Sequence, residues 1–317
     1  MRRLEDPSDI MAANFGYLLI LGRNPENEDV IHHAASIPRT ISELRSSALD
    51  SPEYKGRQRL DIIDLYFRNI LSENKELKYQ FNSTSDEIIL LQTSDPIRYL
   101  SILSVSAKFN ARYCKKFGMD YQAFVGLKQG FYPHHAMLNR IFLLKEYCDK
   151  NFRGWIVYVD ADAVNIAPNY DLPYKLAQLR ESKKWASFYT VQHPDDEEFI
   201  FWNVNTGVFA LDLSANRTRM LIRLWHLLYS DLITKEEFRH AVTWDGIIND
   251  QNSLHEILRM LDNYILLCDE IELNQEIGKP FIQALRSSAT SIPADEELSL
   301  RCASLAELGA AAWRDIS

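Results

Sequence analysis

Basic residues, cysteines and long hydrophobic runs are all scarce in this sequence. Lys and Arg total 35 against 44 for Asp and Glu, which gives a formal net charge of −9 over 317 residues. A surface that binds a nucleic-acid backbone is rich in Lys and Arg, so this balance argues against nucleic acid as the main partner. It still permits a small anionic ligand that a few local donors hold. The sequence also contains no internal repeat and no low-complexity tract.

The four cysteines, Cys114, Cys148, Cys268 and Cys302, are far apart and form no CxxC pair. This spacing argues against a zinc site and a disulfide framework, and it is typical of reduced thiols in the cytoplasm. The longest apolar run near the start, residues 17–21, is far too short to span a bilayer and follows acidic residues. We therefore expect no transmembrane segment and no signal peptide. The expected location is the cytoplasm, either free or peripheral to the inner face of the membrane.

The first part of the chain is predicted to be helical. From about residue 13 to residue 80, apolar side chains recur at helical spacing, with Ser42 and Ser51 as candidate cap and boundary residues. A polar stretch from residue 82 to 86 then reads as a linker. We accordingly divide the chain into a helical accessory module at 1–82, a main domain at 83–290, and a tail or packing helix at 291–317.

From residue 87 onward, short apolar runs alternate with helical stretches. A helix after the first strand is predicted to end with Gly118 as its C-cap residue. The predicted strands are 88–91, 121–125, 155–159, 186–191, 208–211 and 265–267. Strands that alternate with helices form a mainly parallel sheet with right-handed crossovers. The fold class is therefore predicted to be α/β, with a Rossmann-like sheet preceded by a small all-helical module.

The most informative stretch is residues 155–163, with the sequence WIVYVDADA. It reads as a strand that is buried on both faces, because the alternating side chains on both sides are apolar. Side chains two apart on a strand point the same way, so Asp160 and Asp162 are expected to project together from the carboxyl edge of the sheet. Two carboxylates this close repel each other unless a cation or a shared proton lies between them. A hard divalent ion that also holds a diphosphate is the natural partner, and two solvated carboxylates in a loop are the alternative.

Further polar motifs follow the D-x-D pair in a defined order. Residues 203–209 read NVNTGVF, residues 244–246 read WDG, and residues 249–252 read NDQN. Together with Asp160 and Asp162, this ordered set resembles a GT-A glycosyltransferase of the retaining galactosyl, mannosyl and xylosyl transferase type found in the yeast Golgi and plant cell walls. Residues 110–121 are similar to the "N-x-x-Y-A … H-G-Y-x-Y" stretch that these enzymes carry near the nucleotide pocket. The resemblance covers about residues 87 to 285.

The resemblance implies a metal-dependent donor site. Asp162 is expected to bind Mn²⁺ or Mg²⁺ directly, and Asp160 to contact the ribose or the metal. The donor is expected to be a nucleoside diphosphate sugar, either a UDP-sugar or a GDP-sugar. The residues expected to bind this donor are Thr93, Asn110, Arg112, Arg140, Asp160 and Lys279. Many relatives place a histidine after the last strand as a further metal ligand, and the stretch before Lys279 has none.

The sugar and acceptor are expected to meet a separate set of residues. Asn205, Thr206 and Gly207 are predicted to form a floor under a sugar, since amides and hydroxyls suit sugar hydroxyls and glycine allows close approach. A plain β-turn is the alternative for these three residues. Trp202 and Trp244 are predicted to stack on sugar rings, with burial in the core as the alternative for each. The acceptor is expected to be a glycan or another hydroxyl compound.

The resemblance also points to the catalytic residues. Asp250 and Gln251 are expected to lie below the anomeric carbon, where they stabilise an oxocarbenium-like transition state or position the acceptor. Asp245 is a competing candidate, because it is acidic and lies between Trp244 and a glycine. A simpler alternative makes Asp250 the N-cap of the helix that follows.

The N-terminal segment carries a second resemblance. Residues 17–25, YLLILGRNP, and residues 49–54, LDSPEY, resemble a small bacterial helical domain whose hallmark is "LGR-x-P … L-x-SPEF". This domain is often attached to enzymes of surface polysaccharide synthesis, which implies docking to a protein partner rather than chemistry. A plain helical extension that packs on the main domain is the alternative.

These observations predict a metal-dependent glycosyltransferase. The first resemblance implies that it retains anomeric configuration, and the second implies a role in bacterial polysaccharide or glycoconjugate synthesis. A second hypothesis is a non-catalytic scaffold that binds a sugar nucleotide or a glycan, and the missing histidine favours it slightly. A nucleotidyltransferase is a weaker third option. Such enzymes usually carry a glycine-rich basic loop after the first strand, and residues 92–95, QTSD, contain none.

Overall fold

The computed structural model describes residues 7, 9–15, 17, 28–51, 87–190, 202–244, 246–260, 280–284 and 294–314. Its strands are β1 (Ile88–Ser94), β2 (Asp120–Val125), β3 (Trp155–Asp160), β4 (Ala163–Asn165), β5 (Ala186–Thr190), β6 (Val204–Asp212) and β7 (Phe281–Gln283). Its helices are α1 (Ile10–Phe15), α2 (Glu28–Ser36), α3 (Ile41–Asp50), α4 (Leu100–Phe117), α5 (Asn139–Asp149), α6 (Leu172–Glu181), α7 (Asn216–Leu227), α8 (Lys235–His240), α9 (Asp250–Met260) and α10 (Ala294–Ala312). A 3₁₀ segment, Pro133–Leu138, leads into α5.

The central sheet has five strands in the order β2-β1-β3-β6-β5. Strand β1 pairs in parallel with β2 and with β3, whereas β6 runs antiparallel to β3 and to β5. Four of the five strands therefore point the same way, which confirms the predicted α/β class with a mainly parallel sheet. The predicted run at 208–211 is part of the longer strand β6, which is the strand of opposite direction. The predicted strand at 265–267 lies outside the described residues.

Both faces of the sheet are covered, as the continuous apolar run in β3 predicts. Ile156 and Tyr158 face a core formed with α5, α7 and α9. Trp155, Val157 and Val159 face the opposite core, which includes side chains from α4 and α6. Because neighbouring residues of β3 enter different cores, the strand is anchored on both sides and its carboxyl end is held in one place.

Local signals account for the ends of several elements. Gly118 ends α4 in the left-handed conformation with φ of 68°, as predicted for a C-cap glycine. Helix α3 is capped by Thr40 and not by Ser42. Thr40 Oγ1 accepts a hydrogen bond from the backbone N–H of Glu43, and the Glu43 carboxylate accepts one from the backbone N–H of Thr40 at 2.7 Å. Ser51 follows the last residue of this helix, as predicted.

Within the predicted tail, residues Ala294–Ala312 form helix α10, which packs on α4 and β4. Its Leu305 is fully buried in a cluster with Ile102 and Leu103 of α4. Within the described ranges, no helix has both the length and the apolar character needed to cross a bilayer. Most of the LGR-x-P and SPEF motifs, at 18–25 and 52–54, lies outside the described residues.

A small two-stranded sheet completes the edge of the fold near the end of β3. Strands β4 and β7 pair antiparallel, with Ala163 opposite Gln283. The backbone N–H of Ala284 also donates to the carbonyl of Asp162 at 2.9 Å. This pairing brings a distant part of the chain against the turn that carries the two carboxylates.

Candidate functional site

A cavity of about 570 Å³ opens at the carboxyl ends of β1 and β3. Its walls come from the residues that end these two strands, from the 3₁₀ segment before α5, from Trp244, and from Arg301 of α10. Asp160 and Asp162 both line it. The parallel register places Thr93 of β1 directly beside Asp160 of β3. The predicted carboxylates thus lie at the edge where open α/β sheets bind ligands.

Asp160 is held by donors on both of its carboxylate oxygens. Its Oδ1 accepts from Nη2 of Arg140 at 2.7 Å and from the hydroxyl of Tyr158 at 3.0 Å. Its Oδ2 accepts from Nε2 of Gln283 at 3.1 Å. The Tyr158 hydroxyl also lies 3.0 Å from Oγ1 of Thr93, which links the ends of β1 and β3.

Asp162 is held in the same manner by a second arginine. Its Oδ2 accepts from Nη2 of Arg301, and its Oδ1 accepts from Nε2 of Gln283 at 3.2 Å. The two arginines therefore hold the outer oxygens of the carboxylate pair, Oδ1 of Asp160 and Oδ2 of Asp162. The two inner oxygens converge on one point, which the amide nitrogen of Gln283 fills.

Gly207 makes room for this glutamine. A Cβ atom at position 207 would lie 2.4 Å from Nε2 of Gln283, which is closer than a Cβ atom approaches a non-bonded atom in folded proteins. The prediction for Gly207 invoked a close approach to a sugar. The structure instead places the Gln283 side chain against it, between the glycine and the carboxylates.

Asp250 lies behind Arg140 and not on the cavity wall. It is 4% exposed, and its Oδ2 lies 3.1 Å from Nη1 of Arg140, near enough for an ion pair but without hydrogen-bond geometry. Asn249, rather than Asp250, caps α9, because its Oδ1 accepts from the N–H of Asn252 at 2.8 Å. The N-cap alternative for Asp250 is thus not realised.

The other residues predicted beside Asp250 form part of the same inner layer. Thr206 donates its backbone N–H to Oε1 of Gln251 at 3.2 Å and accepts from Nη1 of Arg140 through its carbonyl. Asn205 accepts from the N–H of Gly207 through its side chain at 2.7 Å. Thr206 thus supports Arg140 from behind, and none of the three residues lines the cavity.

Burial controls the ionisation of this cluster. Burial raises the pKa of Asp160, and the positive charge of Arg140 opposes that rise. The negative charges of Asp162 and Asp250 raise the pKa further, and the net result is a pKa of about 7. Burial likewise raises the pKa of Asp162, against the opposing effect of Arg301. For Arg140, burial lowers the pKa, but the facing carboxylates of Asp160 and Asp250 outweigh burial and raise it, so the guanidinium stays charged.

The two predicted tryptophans lie in different surroundings. Trp244 is 48% exposed and lines the cavity with Pro133, His134 and Met137, so one wall offers an aromatic and apolar surface. Trp202 is half-buried, with the guanidinium of Arg259 3.7 Å from its ring centroid, and it does not line the cavity.

Two predicted donor-binding residues are not brought to the cavity. Asn110 is fully buried, where its amide donates to the carbonyl of Ala163 at 3.0 Å and accepts from the N–H of Asn165 at 2.8 Å. Its side chain therefore fixes β4 against α4.

Arg112 lies with its guanidinium 4.7 Å from the ring of Trp313 and is not part of the cavity wall. The predicted residues Asp245 and Lys279 lie outside the described residues.

Sequence reasoning missed three contributors to the site. Tyr158 carries a signal, because it lies two residues before Asp160 on a strand and therefore points the same way. Gln283 and Arg301 carry none, since each contacts the carboxylates across more than 120 positions of sequence and belongs to no local motif.

The residue types at the converging point fit a divalent cation. Hard cations of this kind commonly bind one or two protein carboxylates and take their other ligands from substrate phosphates and water. Oδ2 of Asp160 and Oδ1 of Asp162 converge on a single position, and that position already attracts a positively polarised N–H group. No group of three or more His, Cys, Asp or Glu side chains among the described residues forms a complete protein cage for a metal.

Comparison with known proteins yields weak similarities. No family model and no curated protein matches this sequence. The structure is similar to a glycosyltransferase involved in glycosylation of the major capsid of PBCV-1, with a TM-score of 0.46 and 13% identity, over 68% of this chain and 98% of that one. It is similar to a Drosophila β-1,4-galactosyltransferase 7 mutant in complex with manganese, UDP-Gal and xylobiose, with a TM-score of 0.37 and 12% identity, over 63% of this chain and 71% of that one. For A197 from STIV the TM-score is 0.27 at 14% identity, over 43% of this chain and 67% of that one. Similarities at this level carry no assignment, so the site geometry has to support any function.

Proposed function

We propose that this chain is a GT-A-type glycosyltransferase that moves a sugar from a nucleoside diphosphate sugar to a hydroxyl group of an acceptor. The observation that carries the proposal is the pair of converging carboxylate oxygens from Asp160 and Asp162, flanked by two buried guanidiniums on the wall of one cavity. Guanidiniums suit phosphate oxygens, and paired carboxylates suit a hard cation that bridges a diphosphate. The aromatic wall at Trp244 suits the flat face of a sugar or base.

Asp160 and Asp162 are the residues that would hold the metal, Mn²⁺ or Mg²⁺. When bound, the ion neutralises charge that develops on the diphosphate as it leaves. Gln283 has to turn its amide away from the inner oxygens for the ion to enter, and the protein keeps both carboxylates oriented meanwhile through Arg140 and Arg301. Because these outer contacts already order the two carboxylates, less conformational entropy is lost when the ion binds.

Arg140 is the central positioning residue of the proposed site. It bridges Asp160 on one side and Asp250 on the other, and it also donates to the carbonyls of Met137 and Thr206. Asp250 and Gln251 then act on the reaction through Arg140 and Thr206, as positioning residues. Retention of configuration remains part of the proposal and draws its support from the ordered motifs of the sequence.

The pathway and partner are proposed on the N-terminal resemblance. The motifs at 17–25 and 49–54 support a role in bacterial polysaccharide or glycoconjugate synthesis, with the segment 1–82 as a docking module for a protein partner. The proposed acceptor is a glycan or another compound with a free hydroxyl group.

A non-catalytic scaffold that binds a sugar nucleotide is the second candidate. It is favoured by Gln283, whose amide nitrogen lies at the point where the cation of an enzyme is needed. In that case the cavity would hold the nucleotide, and no sugar would be transferred.

Binding and turnover experiments on the purified chain test these proposals. A panel of UDP-sugars and GDP-sugars is screened by thermal shift with and without Mn²⁺, because a ligand that binds the folded state raises the melting temperature. We expect one donor to stabilise the protein in a Mn²⁺-dependent manner, followed by slow release of the nucleoside diphosphate. Binding without release for every donor and acceptor identifies the scaffold, and no binding at all contradicts both proposals.

An Asp162→Asn variant assigns the effect to this site. It keeps the shape of the side chain but removes the charge, so we expect Mn²⁺-dependent donor affinity to fall by about 10²-fold. Asp149→Asn is the matched control, since Asp149 is exposed, pairs with Lys145 and does not line the cavity. Wild-type affinity in the Asp162 variant contradicts the proposed metal site.

A further inference from the structure

Arg301 is the one contributor to the cavity wall that comes from helix α10. Its side chain is 8% exposed and each of its three nitrogens donates a hydrogen bond to a described residue. Nε donates to the carbonyl of Ala284 at 2.8 Å, Nη1 to the hydroxyl of Tyr99 at 3.2 Å, and Nη2 to Asp162. The guanidinium also lies 5.4 Å from the ring centroid of Tyr99. These contacts hold it in one orientation against the cavity.

The guanidinium retains donor capacity that these contacts do not use. A guanidinium carries five N–H groups, and the contacts to described residues account for three of them in Arg301. In Arg140, hydrogen bonds to Met137, Thr206 and Asp160 also account for three, but its Nη1 lies 3.1 Å from Oδ2 of a second carboxylate, Asp250. Arg140 thus faces two carboxylates and Arg301 faces one, so the positive charge of Arg301 is the less compensated of the two and is better placed to attract an anionic ligand in the cavity.

The charge of the site also calls for this arginine. The cluster holds three carboxylates, Asp160, Asp162 and Asp250, and two guanidiniums, Arg140 and Arg301, so its formal charge is negative by one. A divalent cation makes it positive by one, which attracts an anionic diphosphate. Without Arg301 the same cluster with its cation is neutral, and that attraction is lost.

We propose that Arg301 binds the diphosphate of the donor directly, which makes helix α10 a part of the donor site. The proposal rests on the proposed function and specifies the phosphate-binding group of that same site. Nη1 and Nη2 each keep one N–H group for phosphate oxygens, while Asp162 and Tyr99 keep the plane of the guanidinium in place. No covalent step involves Arg301.

Calorimetric titration of matched ligands tests the proposal without any turnover. UDP and GDP are titrated into the wild-type chain beside uridine and guanosine, which share the base and ribose but carry no phosphate. We expect Arg301→Gln to weaken binding of the diphosphate by about 10- to 100-fold and to leave nucleoside binding unchanged. Arg301→Lys should fall in between, since lysine keeps the charge but loses the planar fork. Arg314→Gln is the control, because Arg314 is exposed and lies just after the same helix.

The same titration in EDTA separates direct binding from an effect on the metal. If Arg301 contacts phosphate directly, its replacement weakens diphosphate binding both with Mn²⁺ and in EDTA. If the loss appears only with Mn²⁺, or if the nucleosides lose as much affinity as the diphosphates, Arg301 serves only to hold Asp162 or the local fold, and the proposal is wrong. Unchanged or tighter diphosphate binding by Arg301→Gln also overturns it while leaving the proposed function intact. A wild-type chain that binds neither diphosphate overturns both.

Discussion

Gln283 shows how one neutral side chain holds two like charges together. Its amide nitrogen donates to Asp160 at 3.1 Å and to Asp162 at 3.2 Å, so two carboxylates share one amide group. This position is open to Gln283 because residue 207 has no side chain. The identity of residue 207 thus controls the geometry of the carboxylate pair from the neighbouring strand.

Replacement of Gly207 by alanine tests this dependence. The new Cβ would lie 2.4 Å from Nε2 of Gln283, so the amide has to move and the pair loses its shared donor. We expect a loss of about 1–3 kcal/mol in the free energy of unfolding, which urea denaturation measures, together with weaker donor binding.

Gly118→Ala is the matched control for this substitution. Gly118 has φ of +68° and no atom within 4 Å of its Cβ position, so alanine there adds backbone strain without a clash. It should cost about 1 kcal/mol and leave donor binding unchanged. If Gly207→Ala binds the donor as tightly as Gly118→Ala does, the glycine has no role in the site.

The sequence predicts the carboxylate pair well because the pair is a local pattern. Asp160 is the last residue of a strand that reads as a continuous apolar run, and Asp162 lies two residues later, so their position at the sheet edge follows from that strand alone. The position of Asp250 is harder to predict from the sequence than that of the carboxylate pair. A motif indicates that this residue belongs to the site, but only tertiary packing places Arg140 between it and the cavity. Asn110 is misplaced for the same reason, since its amide pairs with the backbone of β4.

At the scale of elements, strands are predicted more reliably than their directions. Each of the strands β1, β2, β3 and β5 overlaps its predicted run, because a run of apolar residues can be recognised in consecutive positions of the sequence. The reversed direction of β6 depends on how the chain returns to the sheet, which no local pattern encodes. The short strands β4 and β7 were not predicted, since three residues give too little periodicity.

Helix α10 contributes to the site through its packing on α4. Leu305 is fully buried against Ile102 and Leu103 in this interface. Leu305→Ala removes that contact and leaves a cavity, so we expect a loss of about 2–4 kcal/mol in the free energy of unfolding. Because Arg301 lies on the preceding turn of the same helix, donor binding should weaken as well, which thermal shift with the donor measures.

Leu300→Ala is the control on this helix. Leu300 is 54% exposed, so truncation of its side chain should change the free energy of unfolding by less than about 0.5 kcal/mol. Equal effects of the two substitutions would show that α10 does not depend on the contact with α4.

At the scale of the whole molecule, a buried histidine links stability to pH. His135 is fully buried, and its Nδ1 accepts from the N–H of Phe131 at 2.9 Å. Burial and, to a smaller extent, the neighbouring His134 together lower its pKa to about 4, against an opposing effect of the Ala241 backbone. The unfolded chain therefore takes up a proton at a higher pH than the folded chain does, so this histidine contributes stability at neutral pH that is lost as the pH falls from about 6.5 to about 4.

Urea unfolding of the wild-type chain and of His135→Gln, at about pH 7.5 and about pH 4.5, measures this contribution. We expect the wild-type chain to lose roughly 2.5 kcal/mol more than the variant between these two pH values, since glutamine does not titrate. Comparison of the two chains removes the effects of the carboxylates, which both share. An equal loss in both chains would mean that His135 is protonated in the folded state or that its environment is not retained.

The contact between Arg301 and Asp162 spans 139 positions of the chain, and the contact between Arg301 and Tyr99 spans 202. A nascent polypeptide that has emerged from the ribosome only as far as β7 can already pair the strands of its sheet. It still lacks the guanidinium that neutralises Asp162. During biosynthesis the carboxylate at the sheet edge therefore stays solvated and unpaired with Arg301 until the segment that forms helix α10 has also left the ribosome.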